Sequence, residues 1–427
     1  MTWERKHILL VGKSLIVGAV AALSAVAYRV VLSKSELVCH NLFAFADSPL
    51  RIALLFLLLF AVGLVTGRIT ESEPLIKGSG IPQLEGQFHG HLSPKPLAVL
   101  VKKFIGGALS IVCGLSLGRE GPSIQLGAMT GQLVSRRLPG NDDEDKKLLL
   151  LCGACAGLAA AFNAPLAGVA FALEETYKKI TPKVVFATAS ASIIADVVSK
   201  LFFGMTPALS MPHVDTLPLS MFFLYPIVGI CCGCLGVVFN KTLMSTQRLY
   251  KKIPVRDTVR IAIPFLFAGV FGLMLPEVLG GGHNIITHLS GVGMAVGMMV
   301  LLLAAKFVFT MICFCSGAPG GIFFPLLVLG ALTGGIVGSG ACALFGLPES
   351  CMINFLLLGM TGMFSGIVRA PITGIILVAE MSGSLTQFPG LVLVAITAAL
   401  TANLLGCKPV YDELLENMLR DRAQAQK

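Results

Sequence analysis

The chain is divided into apolar runs long enough to cross a lipid bilayer, and this feature constrains its fold more than any other. A helix that crosses about 30 Å of hydrocarbon needs roughly 20 apolar residues. Of the 427 residues, 55% are hydrophobic and only 13% are charged. The pattern predicts an all-α polytopic membrane protein embedded in the lipid bilayer. Candidate runs are residues 8–32, 52–65, 97–117, 184–203, 221–239, 261–275, 292–315 and 391–405.

Several runs are short or contain Gly and Pro, which predicts tilted and broken helices, because irregular backbone at membrane depth must be buried or line a cavity. Residues 8–32 lack a clear signal-peptide cleavage site and run too long for one, so we expect a retained first helix. The net charge of +9 is concentrated in residues 241–260 and at the two ends. The positive-inside rule places these parts, including both termini, in the cytoplasm. Because the charge is spread over loops, we expect no nucleic-acid partner.

Other short motifs favour packing over chemistry. Cys152 and Cys155 share a metal-like spacing with Cys231 and Cys234, but both pairs lie in apolar sequence without a nearby His or charged partner. We interpret them as small residues at helix interfaces. The segment that ends at Lys13 lacks the glycine of a phosphate-binding loop, and no His-Glu-x-x-His motif occurs. The sequence therefore indicates no metal site and no cofactor.

The chain also matches itself at two nearly equal offsets. The offset is 203 for the first four of the pairs below and 206 for the last two. Matching pairs are 126–131 with 329–334, Gly118 with Gly321, Pro122 with Pro325, Lys103 with Lys306, 164–168 with 370–374, and Glu174 with Glu380.

The matches predict two membrane repeats, residues 1–210 and 211–427, the second with a short C-terminal tail and no cytoplasmic regulatory domain. The repeats divide within the stretch 204–219, whose prolines include Pro212. Duplicated halves with Gly- or Pro-interrupted helices are typical of transporters whose substrate binds at the repeat interface. Sequence identity alone leaves open whether the halves are parallel or inverted.

Three glycine-rich segments each end in proline just before an apolar run, and each predicts a helix start. The first-turn N–H groups and the helix dipole attract anions, and glycine lets an ion approach the backbone closely. The segments are Gly78-Ser79-Gly80-Ile81-Pro82, Gly118-Arg119-Glu120-Gly121-Pro122 and Gly320-Gly321-Ile322-Phe323-Phe324-Pro325.

Glu120 places a carboxylate at one of these helix starts. An ionisable group at membrane depth is a functional candidate, and a carboxylate beside an anion site competes for it. The repeat offset pairs Glu120 with Phe323, so the two halves repeat the same turn with different chemistry. Ser79 and Tyr411 add hydroxyl donors.

These segments, together with Lys408-Pro409-Val410-Tyr411, resemble the signature segments of the CLC chloride channel and transporter family, in the same order and over nearly the whole chain. The resemblance implies a homodimer with an ion pathway in each subunit and inverted-repeat halves. It also implies that chloride is bound by the side chains of Ser79 and Tyr411 and by the backbone amides of Ile322 and Phe323, with Glu120 as the gating glutamate.

Glu175 matches the internal proton-transfer glutamate of the family's antiporters, whereas Glu174 is expected to be structural, like its repeat mate Glu380. The resemblance also implies that serine at position 79 favours chloride over nitrate or fluoride. The resemblance thus implies a secondary active antiporter that exchanges chloride for protons, similar to short prokaryotic members and located in a bacterial inner (plasma) membrane.

Two alternatives remain open at this point. One is a passive voltage- or pH-gated chloride channel of the same family. The other is an intramembrane hydrolase that uses Glu120 and Ser365, which we disfavour because no histidine lies near either motif. We therefore expect that the protein is not an enzyme.

Overall fold

The computed structural model describes residues 3–209, 211, 217–291 and 293–425, and the regular secondary structure of this part is helical. Of the predictions above, the boundary at residue 210, Pro212 and the first residue of the run 292–315 lie outside the described residues. The helices are α1 Trp3–Ala44, α2 Pro49–Ser72, α3 Ile81–Phe88, α4 Pro96–Val112, α5 Glu120–Ser135, α6 Asp143–Phe162, α7 Pro165–Phe171, α8 Pro182–Phe203, α9 Leu224–Lys252, α10 Asp257–Met274, α11 His283–Gly291, α12 Val296–Cys315, α13 Phe323–Phe345, α14 Met352–Ile367, α15 Pro371–Ser382, α16 Phe388–Leu404 and α17 Val410–Ala425.

A π-helix, Ala172–Tyr177, continues directly from α7. Short 3₁₀ turns lie at Pro74–Ile76, Leu219–Met221, Pro276–Val278 and Glu349–Cys351.

Within the described residues, eight helices are long and apolar enough to cross a membrane: α1, α2, α8, α9, α10, α12, α13 and α14. The last two were not among the predicted runs, although their hydropathy is similar to that of α8 and α10, which were. The run 97–117 was predicted too long, since α4 ends at Val112 and Gly114, with a φ of 81°, turns the chain. Helix lengths range from 7 residues in α7 to 42 in α1, which agrees with the predicted broken helices.

The two most extensive helix contacts are repeat-related and depend on glycine. A methyl group on Gly127 of α5 would lie 2.2 Å from the carbonyl oxygen of Gly153 in α6. In the second half, a methyl group on Gly330 of α13 would lie 2.4 Å from the carbonyl oxygen of Gly359 in α14. Small residues allow such close backbone approach between membrane helices. The internal repeat of the sequence is therefore matched by a repeat in packing.

Glu174 and Glu380 cross-link the two halves reciprocally. Glu380 accepts hydrogen bonds of 3.0 and 2.8 Å from backbone N–H groups at the start of α7, and Glu174 accepts bonds of 3.1 and 2.8 Å from those at the start of α15. A carboxylate stabilises a helix start because it satisfies unpaired N–H groups. The expected structural role of Glu174 is confirmed, and the exchange of equivalent contacts indicates a pseudo-two-fold relation between the halves.

The packing of α13 on α14 predicts different outcomes for two glycines of α13. A methyl group on Gly334 would lie 1.9 Å from the carbonyl oxygen of Phe355, whereas one on Gly340 meets no atom within 4 Å. Gly334→Ala should therefore cost about 1–3 kcal/mol through overpacking. Thermal unfolding of the purified protein in detergent should show a lower Tm for Gly334→Ala and an unchanged or slightly higher one for Gly340→Ala. Equal Tm values would contradict the close helix contact.

Candidate functional site

The three predicted helix starts converge in the structure and are joined by backbone hydrogen bonds. The N–H of Gly118 donates to the carbonyl of Gly321 at 2.6 Å, and the N–H of Gly321 donates back to Gly118 at 2.8 Å. The N–H of Gly320 donates to the carbonyl of Gly78 at 3.0 Å. The loops before α3, α5 and α13 are therefore held together at one point in the protein interior. The sequence predicted each helix start, and the structure brings the three together.

Glycines, which have no side chain, make this convergence possible. A methyl group on Gly121 would fall 2.8 Å from the Cβ of Ser79 and 2.9 Å from its carbonyl oxygen. Gly80, with a left-handed φ of 91°, precedes α3, and a methyl group there would overlap the side chain of Gln125. The glycines therefore allow the first turn of α5 to lie directly against the loop that carries Ser79.

Glu120 is the first residue of α5 and is 1% exposed. Its Oε1 lies 3.8 Å from Nε of Arg119. Backbone N–H groups of Arg119 and Phe324 lie near the carboxyl group, although its Oε2 accepts no hydrogen bond from the described residues. A buried carboxylate oxygen without a hydrogen-bond partner costs free energy, so a functional role is one explanation for it.

Ser79 and Tyr411 lie in the same buried region. The Oγ of Ser79 accepts a 3.3 Å hydrogen bond from the N–H of Ile81. Tyr411, in the first turn of α17, is fully buried, and within the described part of the chain its hydroxyl has no hydrogen-bond partner. This hydroxyl is within electrostatic range of both Glu120 and Glu175.

The backbone of the second half completes the region. Ile322 immediately precedes α13 and Phe323 begins it, and both are fully buried. The ring of Phe323 packs against Phe364, with 4.6 Å between the ring centroids. At the repeat position of Glu120, the second half therefore places an apolar ring in a packed cluster.

Glu175 lies in the π-helix that follows α7 and is 5% exposed. Its Oε1 has no hydrogen-bond partner among the described residues. Single-turn π-helical segments are rare and are frequent at functional sites. Glu174, next to it, points to the start of α15 instead. Adjacent glutamates thus have different surroundings.

Two buried lysines that the sequence analysis noted only as repeat partners each donate to two backbone carbonyls, and those of Lys103 include the carbonyl of Gly78 at the site. Lys103 donates to the carbonyls of Ile76 and Gly78 at 2.9 and 2.5 Å. Lys306 donates to the equivalent carbonyls of the second half, at 2.8 and 2.6 Å. The signal for their role was a lysine at the same position of two apolar runs, which is costly unless the charge has partners.

Ser365, the nucleophile of the hydrolase alternative, is fully buried in α14 and donates to the carbonyl of Thr361 at 2.8 Å, one turn earlier. A serine that bonds the carbonyl four residues earlier is a common feature of membrane helices. The geometry gives it no sign of activation.

The fold and the site together define a polytopic helical membrane protein built around a buried convergence of helix N-termini. Residues 62–403 match the family described as "Voltage gated chloride channel". The chain belongs to this family, which confirms the resemblance and the fold class expected from the sequence.

The chain is similar to transporters within this family. It is 37% identical over 366 residues to the "H(+)/Cl(-) exchange transporter ClcA" of Salmonella agona (strain SL483), covering 83% of this chain and 76% of that protein. The structure of a slow cyanobacterial Cl⁻/H⁺ antiporter superposes with a TM-score of 0.91 at 27% identity, covering 96% of this chain and 98% of that one. A CLC-type fluoride/proton antiporter shares the fold, with a TM-score of 0.80 at 22% identity over the same shares of the two chains.

The contacts of Lys103 predict a stability effect that its neighbour Lys102 lacks. Lys103→Met would leave the carbonyl of Ile76 without its donor, at a cost of about 1–3 kcal/mol for an unsatisfied buried group, and would leave the carbonyl of Gly78 with only the N–H of Gly320. Lys102, which is partly exposed and donates only weakly to Ser72 at 3.3 Å, provides the matched control. Chemical unfolding in detergent should separate Lys103→Met from Lys102→Met, and similar midpoints would argue against this anchoring role.

Proposed function

We propose that this protein is a secondary active antiporter that exchanges chloride for protons. The observation that carries the proposal is the buried Glu120 carboxyl group at the start of α5, with one oxygen left without a hydrogen-bond partner among the described residues. The names of the ClcA relative and of the cyanobacterial antiporter support the same activity. Transport, rather than catalysis, also accounts for the family membership.

In this proposal chloride binds where the helix starts converge. The hydroxyls of Ser79 and Tyr411 donate to the ion, together with the backbone amides of Ile322 and Phe323. Partial charges from first-turn N–H groups suit transport, because an ion must bind tightly enough to enter and weakly enough to leave. The unpartnered hydroxyl of Tyr411 supports this assignment. The flanking glycines and prolines of the three segments shape the loops.

Glu120 couples the two ions by competition. As a carboxylate it is attracted to the same helix N-termini as chloride, so it occupies the anion site when chloride leaves. Once protonated it loses this attraction and moves away, and chloride takes its place. Glu120 therefore binds a proton each time chloride replaces its carboxylate in the site.

Glu175 transfers protons between Glu120 and the cytoplasmic side, by a route separate from that of chloride. Its burial, its unpartnered oxygen and the position of Tyr411 within electrostatic range of both glutamates support this role. The distance between the two carboxylates is bridged in this proposal by transient water, because neither side chain has a hydrogen-bonded chain of described residues leading to the other.

The orientation and assembly follow the same proposal. Both termini lie on the cytoplasmic side of a bacterial inner membrane. Near the start of α1, Lys13 donates to Asn141 at 2.5 Å, and Asp145, at the start of α6, pairs with Lys183 at 3.2 Å. Lys178, five residues before Lys183, pairs with Asp412 in α17. These contacts connect the first helix with the last, and so they support the placement of both chain ends on one side of the membrane. The halves divide near residue 210 as inverted repeats, and the protein forms a homodimer in the lipid bilayer.

Replacing Glu120 should separate the two ion movements. Glu120→Ala removes the competing carboxylate and the proton carrier, so chloride should still cross while coupled proton movement is lost. Purified protein in liposomes, with a chloride electrode and a pH electrode read together, measures both. Proton uptake at the wild-type ratio in this variant would overturn the role of Glu120.

Replacing Glu175 tests the proton route alone. Glu175→Gln keeps the size and polarity of the side chain but cannot carry a proton, so proton movement should stop while chloride still passes. Glu349→Gln, at an exposed glutamate in the turn before α14, is the matched control and should transport both ions normally. Loss of both ions in Glu175→Gln, with the control intact, would count against a dedicated proton route.

The passive chloride channel remains the second candidate, and the family name includes channels. A reversal potential of the wild-type protein that follows chloride alone, unaffected by a pH gradient, would establish the channel and reject the exchanger.

A further inference from the structure

Lys178 ends the π-helix that carries Glu175 and connects it to two other elements. Its Nζ lies 2.9 Å from Oε1 of Glu85 in α3 and 2.9 Å from Oδ1 of Asp412 in α17. Asp412 directly follows Tyr411, and α3 is the helix that starts at the Ser79 loop. One ammonium group therefore joins the proton side of the proposed site to its chloride side.

The backbone of Lys178 is unusual for a residue with a side chain. Its φ of 55° lies in the left-handed region, which favours glycine. Such a conformation typically costs about 1 kcal/mol or more in a residue other than Gly, Asn or Asp. A lysine at this position is compatible with a gain from its side chain that offsets the strain.

Exposure differs sharply across the cluster. The side chain of Lys178 is 43% exposed, whereas that of Glu85 is 6% exposed and Glu175 is buried. The second oxygen of Glu85, like Oε1 of Glu175, has no hydrogen-bond partner among the described residues. Lys178 is thus exposed to water and also contacts the buried carboxylate of Glu85.

The charges around Glu175 are unbalanced without this lysine. Glu85, Asp412 and Glu174 are the acidic groups that act on Glu175, and Lys178 is the basic one. From the other packed helices, α6 and α8 bring Asp145 and Lys183, which pair with each other.

The lysine itself stays charged. Partial burial lowers the pKa of Lys178, but its hydrogen bonds to Asp412 and Glu85 outweigh that effect and raise the pKa above its ordinary value. At neutral pH its charge is therefore fixed while the glutamates beside it can change protonation.

We propose that Lys178 is a positioning residue for proton transfer, which holds α3, the π-helix and α17 together and sets how readily Glu175 releases its proton toward water. This inference rests on the proposed exchange of chloride for protons. A positive charge favours the ionised form of nearby carboxylates. Without it, Glu175 and Glu85 would keep a proton to higher pH, and proton release at neutral pH would slow.

The test compares Lys178→Met with Lys179→Met in liposomes over a range of pH. Lys179 is the adjacent exposed lysine and forms no ion pair within the described part of the chain. In Lys178→Met the pH of half-maximal proton flux should move upward by about one unit, equivalent to a tenfold change in proton affinity. Lys178→Arg should restore the wild-type profile, since it keeps the charge, and Lys179→Met should match wild type.

Two further measurements separate this role from a purely structural one. Adding Lys178→Met to Glu175→Gln should leave chloride flux unchanged, because the lysine then has no proton step to influence. If Lys178→Met does not fold, Lys178→Gly removes the same charge while relieving the left-handed backbone, and the same upward shift is expected.

An unchanged pH profile in a folded, charge-removed variant would overturn the inference, as would loss of chloride flux in the double variant. A wild-type protein without proton flux would instead reject the proposed exchange itself.

Discussion

Backbone hydrogen bonding between helix starts in an apolar interior is the constraint on which the structure depends. At membrane depth an N–H or C=O group without a partner costs several kcal/mol, because no water can satisfy it. The reciprocal bonds between Gly118 and Gly321, with the bond from Gly320 to Gly78, meet this demand in the loops. Lys103 meets it for the carbonyls of Ile76 and Gly78, and Lys306 meets it for the carbonyls of Val278 and Gly280 before α11. The starts of α3, α5 and α13 are thereby brought to one point, which is the arrangement that the proposed chloride site requires.

The pseudo-two-fold relation explains why one such point serves both halves. Gly118 and Gly321 occupy equivalent repeat positions and exchange equivalent bonds, so the symmetry element passes between them. Residues near the pseudo-two-fold axis contact the equivalent residues of the other half. A difference in sequence between the halves therefore alters a site that both halves form. Glu120 and Phe323 are an example. They occupy equivalent positions in the two halves, but only Glu120 can ionise. In the proposed function this asymmetry turns an anion-binding site into a proton-coupled one.

Local signals were predictable from the sequence, and long-range ones were not. Glycine and proline at Gly80, Pro82, Gly121 and Pro122 act within one turn, so the three helix starts were found. The repeat offset identified Glu174 and Glu380 as equivalent residues. In the structure each of them binds the start of a helix in the other half. Helices α13 and α14 were missed although their hydropathy is similar to that of α8 and α10. The close approach of their glycines is a long-range contact, which the sequence did not predict. The contacts of Lys178 join residues 93 and 234 positions apart, and no local pattern encodes them.

In the proposed function, hydrogen-bond satisfaction separates the glutamates of the protein by role. Glu174 and Glu380 each bind two backbone N–H groups, as expected for groups that hold a fold together. Glu120 and Glu175 each keep a buried oxygen without a partner among the described residues. Such an oxygen costs about 1–3 kcal/mol or more for a charged group, a cost that a proton can remove. A site that gains and loses a proton must leave that position open. Glu85 has the same open oxygen beside Lys178, so in the proposed function it groups with Glu120 and Glu175 rather than with Glu174 and Glu380.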